Sequence, residues 1–349
     1  MYTFFKFFIS ISAFLFILVS GYFLIKWFTN PVYRIGDLRK GQILKFNDDA
    51  EAEEVNSDKL KVLSYNLGFA AGPMQHTLAD EHPEDFFTAN LDKFINLVRE
   101  EDANIVLLQE VDLDSKRSWY MNQLQYIMER LGWGYAAPVV DWDMYFPLRK
   151  ERKITKATVV LSKFPIASNE YTQTSCKPNF ENRILNIFYY PLLWKSTMQR
   201  VELKVAGKRV DIYNVHLCVW NRAARVAQAE YLAEWINRES RDVDYLVGGD
   251  FNFQAYIRGT PIPEKDLSKP PFINQFRENL GGIGEILSGP EESAEVLHKN
   301  FTFEERKHRY DFLFYSDGLV LESAEVIDTI AASDHYPVSG SFLLARDTF

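Results

Sequence analysis

Eight polar residues of this chain combine the types and settings that acid–base and metal chemistry need. They are four carboxylates (Glu110, Asp250, Asp311, Asp334), two amides (Asn66, Asn252) and two imidazoles (His216, His335). Each lies at or near the end of a short apolar run. The strings are Ser64-Tyr65-Asn66-Leu67, Leu107-Leu108-Gln109-Glu110-Val111, Asn214-Val215-His216-Leu217, Gly248-Gly249-Asp250-Phe251-Asn252, Arg309-Tyr310-Asp311-Phe312 and Ser333-Asp334-His335-Tyr336-Pro337-Val338. Singly, each has an ordinary explanation: a carboxylate at a strand end caps a loop, a histidine in an apolar strand is a satisfied core group, an asparagine makes a turn. Six such coincidences in one domain outweigh those explanations. Oxygen donors without thiolates describe a site for a hard cation, so Mg²⁺ (or Mn²⁺) is the expected metal. A histidine near a carboxylate can be held in one orientation and have its pKa set by that charge.

The elements that must position these groups follow from periodicity. Lys59 to Asn66, Ile105 to Leu108, Val159 to Leu161, Ile184 to Tyr190, Met198 to Val205, Val210 to Leu217, Tyr245 to Val247, Tyr310 to Tyr315 and Tyr336 to Leu344 read as strands. Gly207 turns a hairpin, and Gly248-Gly249 reads as a turn. Phe86 to Glu100 places Phe87, Leu91, Phe94, Ile95 and Val98 on one helical face, and Trp119 to Leu131 and Asn221 to Arg238 are further helices. Many strands with few helices predict packed sheets flanked by helices rather than regular βα alternation.

Composition bounds the reading. With 349 residues, 47% of them hydrophobic, the chain can bury a large core. A net charge of −9 argues against a protein that coats nucleic acid, though not against an enzyme holding phosphate through a bound cation. Cys176 and Cys218 are too few for a disulfide scaffold or a thiolate metal site, which leaves either compartment open.

Phe7 to Ile25 carries no charge, and its length is close to the ~20 residues that cross a bilayer. No clear cleavage site follows, Val19-Ser20-Gly21 being the nearest, so a retained single-pass anchor over residues 1–29 is expected. Lys26, Arg34, Arg39 and Lys40 outnumber Lys6 across the span, which by the positive-inside rule puts the body in the cytoplasm. Residues 30–58, with their acidic cluster Asp48, Asp49, Glu51, Glu53 and Glu54, read as a solvated linker, and 59–349 as one catalytic domain.

The order and local strings of the polar residues resemble the endonuclease/exonuclease/phosphatase superfamily, which includes DNase I-like nucleases, Mg²⁺-dependent sphingomyelinases, deadenylases and inositol-phosphate phosphatases. Leu-Gln-Glu-Val, Gly-Asp-Phe-Asn and Ser-Asp-His-Tyr-Pro-Val are the most specific pieces, and the resemblance covers roughly Leu60 to Leu344. It implies an α+β, DNase I-like four-layer sandwich: two packed mixed β-sheets flanked by helices. It also implies roles. Glu110 is the primary metal ligand with Asn66 beside it, and Asp334 ligates metal or tunes its neighbour. His335 is the general base or the phosphate-fixing group, oriented by Asp311. Asp250 positions or deprotonates the water, Asn252 donates to phosphoryl oxygens, and His216 donates a proton to the leaving group or contacts phosphate. The reaction is in-line attack of water on phosphorus.

The substrate is less fixed. Asn252 is followed by Phe253-Gln254 and the late motif is Arg309-Tyr310-Asp311, which disfavours the inositol phosphatases. Asp112-Leu113-Asp114 stands where secreted DNases place an arginine, and would repel DNA. Asp141 to Lys153 and Ile187 to Lys195 set aromatics beside basic residues, a composition that docks on lipid headgroups or stacks bases, or that simply forms a loop and a buried strand. The leading expectation is a membrane-tethered phosphodiesterase for a phospholipid headgroup. A nuclease of the same fold and a catalytically silent binding module on the membrane are the alternatives. No protein partner is inferable.

Overall fold

In the computed structural model of this chain the described residues are 2–29, 34–47, 58–73, 82–145, 153–176, 195–253, 272–281, 283–287, 300–303 and 308–345. After α1 (Tyr2–Thr29), two short strands, β1 (Arg39–Lys40) and β2 (Leu44–Lys45), lead into β3 (Lys59–Asn66), α2 (Glu84–Glu100) and β4 (Ile105–Asp112). Then come α3 (Gln123–Leu131), β5 (Tyr135–Tyr145), β6 (Lys153–Ser162), β7 (Ile166–Ser175), β8 (Lys195–Val205) and β9 (Lys208–His216). The rest is α4 (Arg222–Glu239), β10 (Asp244–Asp250), α5 (Phe272–Asn279), β11 (Gly284–Glu285), β12 (Asp311–Tyr315), β13 (Leu319–Val326) and β14 (Val338–Leu344).

Among the described residues the strands form two mixed sheets of seven, ordered β1-β7-β8-β9-β10-β12-β11 and β13-β14-β3-β4-β6-β5-β2. Their inner faces meet through Leu60, Val62, Ile105, Leu107 and Val160 on one side and Val201, Val210, Ile212, Leu246 and Leu313 on the other. On the outer face of the second sheet, Leu63, Val106 and Leu108 pack against Leu91, Phe94 and Ile127 of α2 and α3. On the outer face of the first, Tyr213, Val247 and Phe312 pack against Leu232, Trp235 and Phe276 of α4 and α5. The result is the expected four-layer sandwich. Side-chain caps set the helix starts: Asn122 accepts the Gln125 N–H before α3, and Asn221 the Ala224 N–H before α4.

Several expectations shift. Gly248 and Gly249 are not a turn but the last part of β10. Gly249 has φ +131°, and a Cβ there would stand 2.1 Å from the Val215 carbonyl oxygen, so glycine is what lets β10 lie against β9. The helix expected from Trp119 begins at Gln123, because Trp119 and Tyr120 are both left-handed (φ 58° and 59°) and cannot join it. Strands β5, β7 and β13 lacked clean alternation and were not expected; the 184–190 strand and most of the two aromatic-basic stretches (146–152, 187–194) lie outside the described residues.

The segment 30–58 is more than a linker. Arg39 and Lys40 pair with Tyr171 and Glu170, and Leu44 and Lys45 with Ala136 and Tyr135, adding an edge strand to each sheet. Its acidic cluster falls outside the described residues. The two cysteines, too few for a disulfide scaffold, are nonetheless joined: Cys176 follows β7, Cys218 lies two residues past His216, and a disulfide links them with Cα atoms 5.0 Å apart. As for the membrane span, among the described residues no helix is long and apolar enough to cross a membrane. Described side chains of α1, including Ile9, Phe14, Phe16 and Ile17, are exposed.

Candidate active site

Strand direction brings the polar residues to one edge. β3 and β4 run parallel with Asn66 opposite Gln109, and β9 and β10 run parallel with His216 opposite Asp250. β12 is antiparallel to β10 and starts with Asp311 opposite Asp250, and β14 enters opposite the end of β3, with Val338 facing Ser64. The ends of two sheets therefore deliver all eight groups to a shared rim.

Glu110 reaches this rim through a β-bulge. The β4–β6 register shifts between Leu108 and Val111, and Glu110 takes φ +56°, which turns its side chain out of the alternation. Its Oε1 accepts from Lys156 Nζ at 2.8 Å and lies 3.9 Å from His216 Nε2. Asp250 Oδ2 accepts from the Asn66 amide at 3.0 Å and lies 3.9 Å from His216 Nε2 and 4.0 Å from His335 Nε2. His335 Nδ1 and Asp311 Oδ2 are hydrogen-bonded at 2.7 Å, and the other Asp311 oxygen is buried with no hydrogen-bond partner. Asp250 Oδ1 accepts the Asn252 N–H, while the Asn252 amide donates to the Leu217 carbonyl. Ser333 Oγ donates to Asp334 and accepts the His335 N–H, shaping the turn into β14.

Charge divides this edge. Burial works against ionisation of Glu110, but the Lys156 charge and hydrogen bond, with Arg117 adding, hold its carboxyl well below the usual carboxylate range. Burial and the lysine charge lower His216 to about 3, so it is neutral. Burial opposes protonation of His335 too, yet Asp311 and Asp250 raise it to about 10 and make it an imidazolium. Burial and the Asp311 charge push Asp250 up. Burial raises Asp334 to about 6, with His335 opposing and Glu110 adding to the rise. Of the roles the strings imply, a charged His335 fits the phosphate-fixing group rather than the base, and a neutral His216 fits the phosphate contact rather than the proton donor.

A hard cation fits the Glu110 corner. Glu110 and Asp334 offer oxygen donors of the kind a hard cation takes, and the Glu110 charge adds to the rise in the Asp334 pKa. Asn66 Oδ1 accepts the Gly68 N–H and keeps a second lone pair. Asp250, Asp311 and His335 also offer ligand atoms within 4.8 Å of one another, but the short His335–Asp311 hydrogen bond makes that trio an acid–base group first.

Sequence reasoning missed Lys156, a lysine flanked by Thr155 and Ala157 in a buried strand; a charge inside an apolar run was the available signal. It also missed Asn214, which accepts from Gln109 and donates to the Leu108 and Val159 carbonyls, tying the two sheets beneath the rim. Of the Asp112-Leu113-Asp114 string expected to repel DNA, Asp112 is buried and doubly hydrogen-bonded by Arg117, while Asp114 pairs with Lys153.

Comparison with known proteins gives a consistent picture. The family described as Endonuclease/Exonuclease/phosphatase matches residues 63–335. No curated protein matches in sequence. An endonuclease/exonuclease/phosphatase structure from Beutenbergia cavernae has a TM-score of 0.58 at 16% identity, with 82% of this chain and 72% of that one covered. The human Nocturnin catalytic domain with bound sulfate has a TM-score of 0.54 at 15% identity, covering 87% and 98%. A mannosyl-6-phosphatase from Bacteroides thetaiotaomicron has a TM-score of 0.53 at 16% identity, covering 82% and 100%. At these identities the likeness establishes the fold.

Proposed function

This chain belongs to the endonuclease/exonuclease/phosphatase family, whose members hydrolyse phosphoester bonds, and we propose that it is a metal-dependent phosphodiesterase. The observation that carries the reading is the buried His335–Asp311 pair at 2.7 Å, aimed at Asp250 on the same edge. Glu110, with Asn66 and Asp334, would hold the Mg²⁺ (or Mn²⁺), which supplies neutralisation of a phosphoryl oxygen and of the charge on the leaving oxygen. Asp250, whose raised pKa suits a base, accepts the proton of the attacking water as the new O–P bond forms and the bond to the leaving oxygen breaks. His335, charged and fixed by Asp311, clamps the phosphoryl group. His216 is neutral and 3.9 Å from both Glu110 and Asp250, which suits it to hydrogen-bond a phosphoryl or leaving oxygen.

A phospholipid headgroup is the substrate this reading prefers. Support comes from the exposed apolar side chains of α1 and from exposed Trp119, Tyr120 and Trp220, which lie on the loops that follow β4 and β9. By the same reading residues 1–29 tether the domain to a membrane as a single pass. The Cys176–Cys218 disulfide favours the non-cytoplasmic side, where such bonds persist, over the side the flanking charges suggest. Nucleic acid is a second reading, favoured by the pairing of Asp112 with Arg117, which removes a supposed repulsion. Turnover of sphingomyelin vesicles, plasmid DNA and a sugar phosphomonoester, each with and without EDTA, tests both. EDTA-sensitive release from the vesicles alone is expected; plasmid nicking with inert vesicles would reject the lipid, and metal-independent turnover would reject the metal.

A further inference from the structure

Lys156 stands between two irregularities of the same kind. On one side β4 bulges between Leu108 and Val111, turning in Glu110; on the other β5 bulges between Val140 and Trp142, at Asp141. The lysine itself pairs with Asp112 and Trp142, just beyond both bulges. Its ammonium donates to Glu110 Oε1 at 2.8 Å and is only 3% exposed. Asp141 is buried, accepts hydrogen bonds from the Thr158 and Thr197 hydroxyls, and is near enough to feel the lysine charge. Bulges re-aim side chains at functional edges, and here two of them bring carboxylates toward one buried cation.

A lysine on a carboxylate that also faces a divalent cation does two opposing things. It satisfies Glu110 when nothing else does, since a buried carboxylate without a partner is costly. It also places a positive charge beside the position a cation would take, which weakens cation binding. We propose that Lys156 is the built-in counter-ion of Glu110: it holds the empty site together and sets how weakly that site takes Mg²⁺. The inference rests on the metal reading of Glu110 given above, and it makes Lys156 a positioning residue, acting through Glu110.

The test is isothermal titration of the full chain with MgCl₂ alone, paired with thermal unfolding in EDTA and in saturating MgCl₂. Lys156→Met keeps the length and removes the charge; Lys156→Arg keeps the charge. The Met variant is expected to bind Mg²⁺ about tenfold more tightly, to melt several degrees below the parent in EDTA, and to recover most of that loss in Mg²⁺. The Arg variant should match the parent in both measurements. Equal melting losses with and without Mg²⁺, or an unchanged affinity, would make the pair a plain structural salt bridge and overturn the proposal. An identical shift in the Arg variant would overturn it as well, and serves if the Met variant does not fold. A parent protein that binds no Mg²⁺ would instead sink the metal reading itself.

Discussion

The two imidazoles of the site share a rim and a chemistry, and their surroundings drive them apart. His335 sits on Asp311 with Asp250 beyond, and carries charge. His216 faces Glu110 and Asp250 at 3.9 Å, but Lys156 has already spent the Glu110 charge, and burial leaves the ring neutral. A carboxylate near a histidine is therefore not enough to charge it. What counts is whether another cation has reached that carboxylate first.

The largest expected effect tests the charged half. Asp311→Asn removes the anion that holds His335 protonated and oriented, and should lower kcat/KM by about 10²–10⁴-fold. His216→Asn should cost less, because a neutral contact is lost; an equal loss, measured on the same phosphodiester, would erase the distinction. The next effect is on stability against pH in EDTA. Raised in the fold, His335 gives stability that is full below the ordinary histidine pKa near ~6.5 and fades as pH climbs toward about 10. Lowered in the fold, His216 takes stability away as pH falls from that same ordinary value toward about 3. Urea unfolding across this range should show both limbs, with Asp311→Asn flattening the alkaline one and His216→Gln the acid one. Parallel slopes in parent and variants would contradict the assignment. The smallest effect is a control for environment: the exposed Asp92–Arg130 pair at 3.5 Å should contribute no more than about 0.5 kcal/mol, read as the unfolding midpoint of Asp92→Asn.

Much of this was legible from the chain. The strand ends at Asn66, Glu110, His216 and Asp250 announce themselves because each apolar run stops on a polar group, Asp311 because an apolar run starts on it, and the sheets follow from those runs. What periodicity hides is what breaks it. The Glu110 bulge carries β4 on to Asp112, past where its apolar run ends. β5 and β7 lack clean alternation because both faces are partly buried and Asp141, Asn169 and Gln173 point inward to polar partners. Lys156 was overlooked since a single lysine in a strand ordinarily reaches solvent. Charge states were beyond reach altogether, because they depend on groups from different strands meeting across the rim.

The bond between Cys176 and Cys218 closes residues 176–218 into a covalent ring that contains β8, β9 and His216. A backbone cut anywhere inside that ring would leave one molecule, not two. A nicked protein would run at its full mass without reductant and separate into two fragments with it. Within that stretch, proteolysis and loss of the histidine are therefore separate events, and only reduction joins them.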